Sequence, residues 1–303
     1  MKVLVTGISG QLGYDMANEL AGRKTTEIVG TGLSEAYHGR DDGSAASKAE
    51  YIRMDLKNPE MIVETLATVR PDVVFLGAGW TMVDAAELPE NREAVYATNV
   101  TAVQTIAEYC GRQGITLMYI STDYVFDGTG DHARTEDEEP GHPVNVYGET
   151  KLLAERIVRK YCKNSFVVRI SWVFGCNGNN FVKTMLELAK THSEVRVVCD
   201  QIGRPTYTGH LARLLADMLE TDRYGTYHAT NEGEFVSWYG FCREIYRQAG
   251  VPAKVIPVTT EEYGRKGAKR PENSRLDCGK LRKAGFQPLP DWKRAITDFL
   301  NRV

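Results

Sequence analysis

The sequence has no long apolar run. No stretch approaches the ~18 apolar residues that a membrane-spanning helix needs, so a chain buried in a bilayer is not expected. Near the N-terminus only Val3, Leu4 and Val5 stand together. That is too short for the apolar core of a secretory leader, and the expectation is a cytoplasmic protein. An excess of one charge is missing too: 37 Lys plus Arg stand against 40 Asp plus Glu, a net charge of −3. A general polyanion binder needs a basic face to neutralise phosphates, so nucleic acid is set aside as a partner. One phosphate pocket made of backbone amides is still allowed. Closely spaced cysteines are absent: the nearest of the six, Cys162 and Cys176, are fourteen residues apart. That excludes a Cys-x-x-Cys redox or zinc motif. The six His are equally scattered, so reduced, mostly buried thiols and no dedicated metal site are expected. Gly and Pro are dispersed, which excludes low-complexity tracts.

What the sequence does have is alternation. Short apolar runs at 3–6, 27–30, 51–54, 72–76, 116–121 and 166–170 read as strands. Amphipathic stretches at 11–21, 59–69, 91–113 and 147–161 read as helices, the second opened by Asn58 as N-cap and Pro59 at its first position. Residues 34–48 are polar and read as a loop. Continuous apolar strands between helices signal a parallel sheet covered on both faces. The expected fold class is α/β, a Rossmann-type doubly wound parallel sheet. After residue 170 the alternation weakens, with helices at 180–191, 208–220, 236–249 and 291–302. The expected division is 1–170 for an NAD(P)-binding domain and 171–303 for a smaller mixed α/β domain, mainly substrate-binding, with some segments returning to the sheet.

Gly7-Ile8-Ser9-Gly10-Gln11-Leu12-Gly13 joins the first strand to the first helix. The first glycine suits a tight turn, the second lets a pyrophosphate approach the backbone, and the third lets helix and strand pack closely. The helix N-terminus then offers free amides and a positive dipole end. An NAD-binding second strand would end in Asp or Glu. Here Val29-Gly30-Thr31-Gly32-Leu33-Ser34 has no acid before Glu35. NADPH is favoured and NADH allowed, with Arg40 or Arg23 as candidates for the extra phosphate. Asp55 and Leu56 follow the third strand, placed either to cap an adenine or as an exposed turn.

Tyr147 and Lys151 stand at i and i+4 and share one helix face. A tyrosine at its ordinary pKa near 10 is a poor acid–base at neutral pH, and a nearby ammonium, with the positive nicotinamide of an oxidised cofactor, is expected to lower it. Ser121-Thr122 ends the preceding strand at the carboxyl edge of the sheet, where such folds bind ligands. Thr122 could hydrogen-bond a carbonyl beside Tyr147.

With these motifs the chain resembles the extended short-chain dehydrogenase/reductase family, and within it the branch of dTDP-4-dehydrorhamnose reductases. Further segments carry that resemblance: Ser121-Thr122-Asp123-Tyr124-Val125-Phe126-Asp127-Gly128, Arg169-Ile170-Ser171-Trp172-Val173-Phe174-Gly175, Asp200-Gln201-Ile202-Gly203-Arg204-Pro205-Thr206, Ser237-Trp238-Tyr239 and Arg270-Pro271-Glu272-Asn273-Ser274. It implies reduction of a sugar nucleotide's C4 keto group, with Tyr147 as proton donor, Lys151 as its electrostatic partner and ribose ligand, and Thr122 orienting the keto oxygen. Gly7, Ser9, Gly10, Gln11 and Leu12 would hold the pyrophosphate, and Asp55 and Leu56 the adenine. Ala78, Gly79 and Thr81 would line the middle of the cofactor, and Asn99 would support Lys151 through water. Asp123, Tyr124, Val125 and Trp172 would face the sugar. Arg204 and Arg270 are candidates for the diphosphate, with an ion pair or solvated charge as the alternative for each. Trp172 and Trp238 could equally be packing residues. The acidic run Glu136–Glu139 reads as a solvated face.

Two departures stand out. Trp80 occupies a position where relatives more often have His. Some relatives form dimers around a magnesium held by glutamates; the matching positions here are Asp15 and Asp291-Trp292-Lys293, so a homodimer is allowed but magnesium is not expected. The alternatives are another sugar-nucleotide reductase or epimerase, and a non-catalytic regulatory subunit like the beta subunit of methionine adenosyltransferase. The intact Thr122, Tyr147 and Lys151 argue against the last.

Overall fold

The computed structural model describes residues 1–23, 26–264 and 266–303. Its central sheet contains β1 (Lys2–Thr6), β2 (Glu27–Gly32), β3 (Glu50–Arg53), β4 (Val73–Leu76), β5 (Thr116–Thr122), β6 (Ser165–Ile170) and β7 (Gly225–His228). Their spatial order is β7-β6-β5-β4-β1-β2-β3, and every pairing is parallel. The longer helices are α1 (Gln11–Ala21), α2 (Pro59–Val69), α3 (Ala102–Gln113), α4 (Val146–Tyr161), α5 (Phe181–Thr191), α6 (Thr208–Leu219), α7 (Trp238–Ala249) and α8 (Trp292–Leu300).

Successive residues of a strand point to opposite faces of a sheet, so this sheet feeds two cores. Val3, Val5, Phe75, Met118 and Ile120 pack with Met16 and Leu20 of α1 and Leu211 and Leu215 of α6. Leu4, Val74, Leu76, Leu117 and Tyr119 pack with Ile62 of α2, Ile106 of α3 and Val158 of α4. Burial on both faces is why these strands read as continuous apolar runs. The result is the doubly wound α/β sheet that the alternation predicts. Helix ends follow their local chemistry: the Asn58 side chain accepts from Met61 N at 3.1 Å, and Asn145 accepts from Gly148 N at 2.8 Å.

A third core, around Phe174, Phe241, Trp292 and Phe299, belongs to the C-terminal part. Short strands pair there, the longest being Glu194–Val198 with Lys254–Val258. Helix α6 and strand β7 return to the main sheet's layers.

Two segments differ from expectation. The stretch expected as one helix over 91–113 contains a π-helical turn, Ala97–Thr101, between Arg92–Tyr96 and α3. The widened turn faces Asn99 inward, where its amide is fully used. In the loop over 34–48, Ala45–Lys48 forms a short helix, docked by Ala46 N on Asn18 Oδ1 at 2.9 Å. Among the described residues no helix is long and apolar enough to cross a membrane.

Candidate active site

The carboxyl ends of the strands bring the candidate residues to one edge: Gly7 after β1, Gly32 ending β2, Asp55 after β3, Ala78 after β4, Thr122 ending β5 and Trp172 after β6. Gly7 has φ +69°, a left-handed conformation that suits glycine. Its N–H and that of Ile8 donate to Thr31 O at 2.8 and 3.2 Å, which bends the loop against β2. A Cβ on Gly10 would lie 3.1 Å from the Gly7 carbonyl oxygen, and one on Gly13 would run into that carbonyl. Gly10 is the N-cap of α1 and brings no side-chain cap, so the first helical amides are open to an anion. The buried Thr31 hydroxyl has no hydrogen-bond partner among the described residues. An open helix end, a cradle without Cβ atoms and a spare hydroxyl fit a dinucleotide's phosphates and ribose.

Two asparagines missed in the sequence complete this cradle. Asn177 Nδ2 donates to Ser9 O at 2.8 Å and Gly10 O at 3.2 Å, and Asn180 Nδ2 donates to Gln11 Oε1 at 3.0 Å. The run Asn177-Gly178-Asn179-Asn180 was their only signal. Ala78 N donates to Thr6 Oγ1 at 3.1 Å; Gly79 and Thr81 are exposed. Leu56 packs partly buried against the α2 side of the sheet, and Asp55 accepts from Lys57 N at 2.9 Å.

Tyr147 lies in the first turn of α4, with its ring edge-on to Tyr124 at 5.7 Å between centroids. The Thr122 hydroxyl lies near enough to its phenol to oppose the rise in its pKa. Thr122 Oγ1 also donates to Asp123 Oδ1 at 3.0 Å and accepts from Tyr124 N at 3.2 Å. One helical turn on, Lys151 Nζ donates to Ile120 O at 2.7 Å and sits 4.2 Å from the centre of the Tyr119 ring. Burial pushes its ammonium down to about 7, opposed by the Glu155 carboxylate. The Tyr147 phenol is raised, not lowered: burial dominates, the Asp123 carboxylate adds to it, and Thr122 opposes it. In the cofactor-free fold Lys151 therefore contributes no lowering of this phenol. Its ammonium is spent on the Ile120 carbonyl and is itself easily neutralised. Asp123 is buried; burial raises its carboxyl to about 6, against hydrogen bonds from Ser274 and Thr122. Its Oδ2 has no hydrogen-bond partner among the described residues.

Beneath Lys151 lies a charge network that sequence reasoning also missed. Glu155 Oε1 accepts from Ser121 Oγ at 2.6 Å and Arg169 Nε at 2.9 Å, and Oε2 accepts from Arg169 Nη2 at 2.8 Å. Arg169 Nη1 donates to His228 Nε2 at 3.2 Å. The signal was available: Glu155 follows Lys151 by four residues on the same helix face.

Several residues are placed differently from expectation. The Val125 side chain is fully buried with Phe126, Leu152 and Leu276, so it does not face a ligand. The Arg204 guanidinium is enclosed, donating to Thr230 Oγ1 at 2.8 Å, Gly233 O at 3.2 Å and Leu276 O at 3.0 Å, over the Phe235 ring. It braces the C-terminal loops, with four of its five donors used and little of it exposed to meet a diphosphate. Arg270 is forked onto Asp84, with contacts of 3.0 and 2.9 Å, on the side of Tyr124. Asn99 touches neither Lys151 nor open space: Oδ1 accepts from Trp80 N at 2.8 Å, while Nδ2 donates to Trp80 O and Thr150 Oγ1, each at 3.1 Å. It ties the loop after β4 to α4. Arg23 is held by Glu19, Asp217 and Glu220, away from the β2 end. The acidic run is only partly a solvated face, since Glu136 accepts from His228 N and Glu138 pairs with Arg134. Asp15 is buried and accepts from Thr208 Oγ1 at 2.5 Å, and Asp291 N-caps α8. Trp172, at φ +49°, stacks on Trp238 at 3.8 Å, and a Cβ on Gly203 would come within 2.7 Å of the Trp172 ring. Both indoles thus belong to one partly exposed stack.

The family model described as RmlD substrate binding domain matches residues 1–303. A dTDP-4-dehydrorhamnose reductase of Aggregatibacter actinomycetemcomitans is 38% identical, over 97% of this chain and 97% of its own length. A solved dTDP-4-dehydrorhamnose reductase of Clostridium acetobutylicum ATCC 824 superposes with a TM-score of 0.87 at 35% identity, covering 99% of each chain. The Bacillus anthracis str. Ames enzyme, solved in complex with NADP, gives a TM-score of 0.86 at 33% identity, over 100% of this chain and 99% of its own.

Proposed function

The chain belongs to the RmlD substrate binding domain family, and from that premise we propose that it is an NADPH-dependent reductase of dTDP-4-dehydro-β-L-rhamnose, yielding dTDP-L-rhamnose. The observation that carries the proposal is the meeting of Thr122, Tyr147 and Lys151 beside the open N-terminus of α1. The relative solved with NADP supports the cofactor, and NADH is the weaker alternative.

When bound, the cofactor supplies a hydride to C4 of the sugar. Tyr147 Oη gives its proton to the C4 oxygen as negative charge develops there. Burial keeps the phenol protonated in the cofactor-free fold, so the proton to be given is in place. Thr122 Oγ1 orients the keto oxygen, and Lys151, one turn below, holds the nicotinamide ribose. Gly7, Ser9, Gly10, Gln11 and Leu12 hold the pyrophosphate on loop and helix amides, Asp55 and Leu56 receive the adenine, and Ala78, Gly79 and Thr81 border the middle. Asp123, Tyr124, Trp172 and Arg270 surround the sugar nucleotide. In this division of labour residues 1–170 serve the cofactor and 171–303 mainly the substrate, with α6 and β7 completing the cofactor domain. The protein works in the cytoplasm. A homodimer fits the family resemblance, but Asp15 is engaged internally and no metal bridge is assigned.

The test supplies purified protein with NADPH or NADH and enzymatically made dTDP-4-dehydro-L-rhamnose, and follows loss of reduced-nicotinamide absorbance. Turnover is expected, and Tyr147→Phe should lose roughly 10²–10⁴-fold in kcat. No turnover with either cofactor overturns the function, and near-normal turnover of Tyr147→Phe removes Tyr147 from its role.

A further inference from the structure

We propose that Arg53 is the residue that selects NADPH over NADH, by binding the 2′-phosphate of the adenosine ribose. The inference rests on the reductase reading above and deepens it. In a doubly wound fold the adenosine ribose lies at the carboxyl end of β2. The β2–β3 register sets Gly32 beside Arg53. The β3 side chains then fix the turn that leaves β2. Tyr51 Oη donates to Ser34 O at 2.9 Å, Arg53 Nε donates to Leu33 O at 3.3 Å, and Met54 N donates to Gly32 O at 2.8 Å. Arg53 is thus anchored through Nε, while its two terminal nitrogens make no hydrogen bond among the described residues. Its side chain is 44% exposed, and a planar fork of donors suits a phosphate.

The other candidates have partners away from the Gly32 end of β2, those of Arg40 at 3.4 and 3.5 Å. Arg23 is surrounded by three carboxylates. Arg40 faces Asp42 and donates to Arg302 O, and its backbone N–H is bound to Asn177. No acid lies between Ile28 and Ser34, at the carboxyl end of β2 or in the two residues after it, so the position that usually accepts a ribose 2′-hydroxyl is vacant of charge. The first acid, Glu35, lies 3.2 Å from Arg53 Nε and is 87% exposed. It can turn to solvent when a dianion takes its place. Glu35 therefore competes with the phosphate and tempers the preference.

The test is calorimetric titration of the full chain with NADP+ and NAD+, alongside KM values for NADPH and NADH. Arg53→Gln should weaken NADP+ by about 10-fold or more, the scale of a charge-assisted hydrogen bond, and leave NAD+ unchanged. Glu35→Gln should tighten NADP+ alone, and Arg53→Lys should restore part of the loss. A merely structural Arg53 would weaken both cofactors together, and that result overturns the inference. So does a selective loss of NADP+ binding in Arg40→Gln but not in Arg53→Gln. Turnover with an unchanged cofactor ratio in Arg53→Gln sinks only this inference, whereas no turnover by the unmodified chain sinks the function itself.

Discussion

Glu155→Ala should destabilise the protein far more than an ordinary polar truncation. The Glu155 and Arg169 side chains are 0% and 1% exposed, and their pairing contacts are 2.8 and 2.9 Å. Removing the carboxylate leaves a guanidinium buried beside β5 and β6 with two donors unpaired, and Ser121 loses its acceptor as well. Breaking one side of a buried pair costs about 3–5 kcal/mol, chiefly through the charge left behind. The outer contact with Arg159, at 3.2 Å, is 41% exposed on the Arg side and adds little. At roughly 2–4 °C per kcal/mol for large domains, Tm should fall by roughly 6–20 °C. The double variant Glu155→Leu/Arg169→Met leaves no buried charge and should recover most of that loss. Thermal unfolding of the two singles and the double gives the coupling directly. Glu155→Ala within about 1 kcal/mol of the unmodified chain would refute the argument, since that is the size of a surface effect. A double variant no more stable than the single would refute it too.

The remaining predictions concern the site itself. Lys151 titrates near 7 in the fold against about 10.5 unfolded, so between those values the unfolded chain binds the extra proton. The unmodified chain should therefore gain stability relative to Lys151→Met as pH rises from 7 to 9, by at most roughly 1.4 kcal/mol per pH unit. A difference that stays flat with pH in urea unfolding would count against the buried ammonium. Gly13→Ala places a Cβ against the Gly7 carbonyl, so the loop must shift. Cofactor affinity should fall while the C-terminal core stays folded, and fluorescence titration with NADPH checks it; undiminished affinity would show that the loop is not the cradle.

The fold was largely legible because the central strands meet a core on both faces, so Val73-Val74-Phe75-Leu76 reads as a buried parallel strand. The phosphate loop was legible because its three glycines sit between a strand and a helix, and the Tyr147–Lys151 spacing because it is one helical turn. Tertiary partners were not legible. Nothing local says that Arg204 is walled in by loops around 230 and 276, or that Val125 turns into a small core with Leu276. The π turn was not legible because the bonds that hold its Asn99, to Trp80 and Thr150, join three segments distant in sequence. Asn177 and Asn180 were missed for the same reason: their loop reaches the glycine cradle only after the C-terminal part has folded back. The Tyr147 pKa went the other way because spacing predicts proximity to Lys151 but not where Nζ points.

The central claim is hydride delivery to C4 of the sugar beside Tyr147. Its most direct measurement uses NADPH deuterated at nicotinamide C4 with dTDP-4-dehydro-L-rhamnose, followed by NMR and mass analysis of the sugar formed. One deuterium at C4 of dTDP-L-rhamnose is expected, with formation largely abolished in Tyr147→Phe. Unlabelled product, label at another carbon, or no dTDP-L-rhamnose would contradict the account.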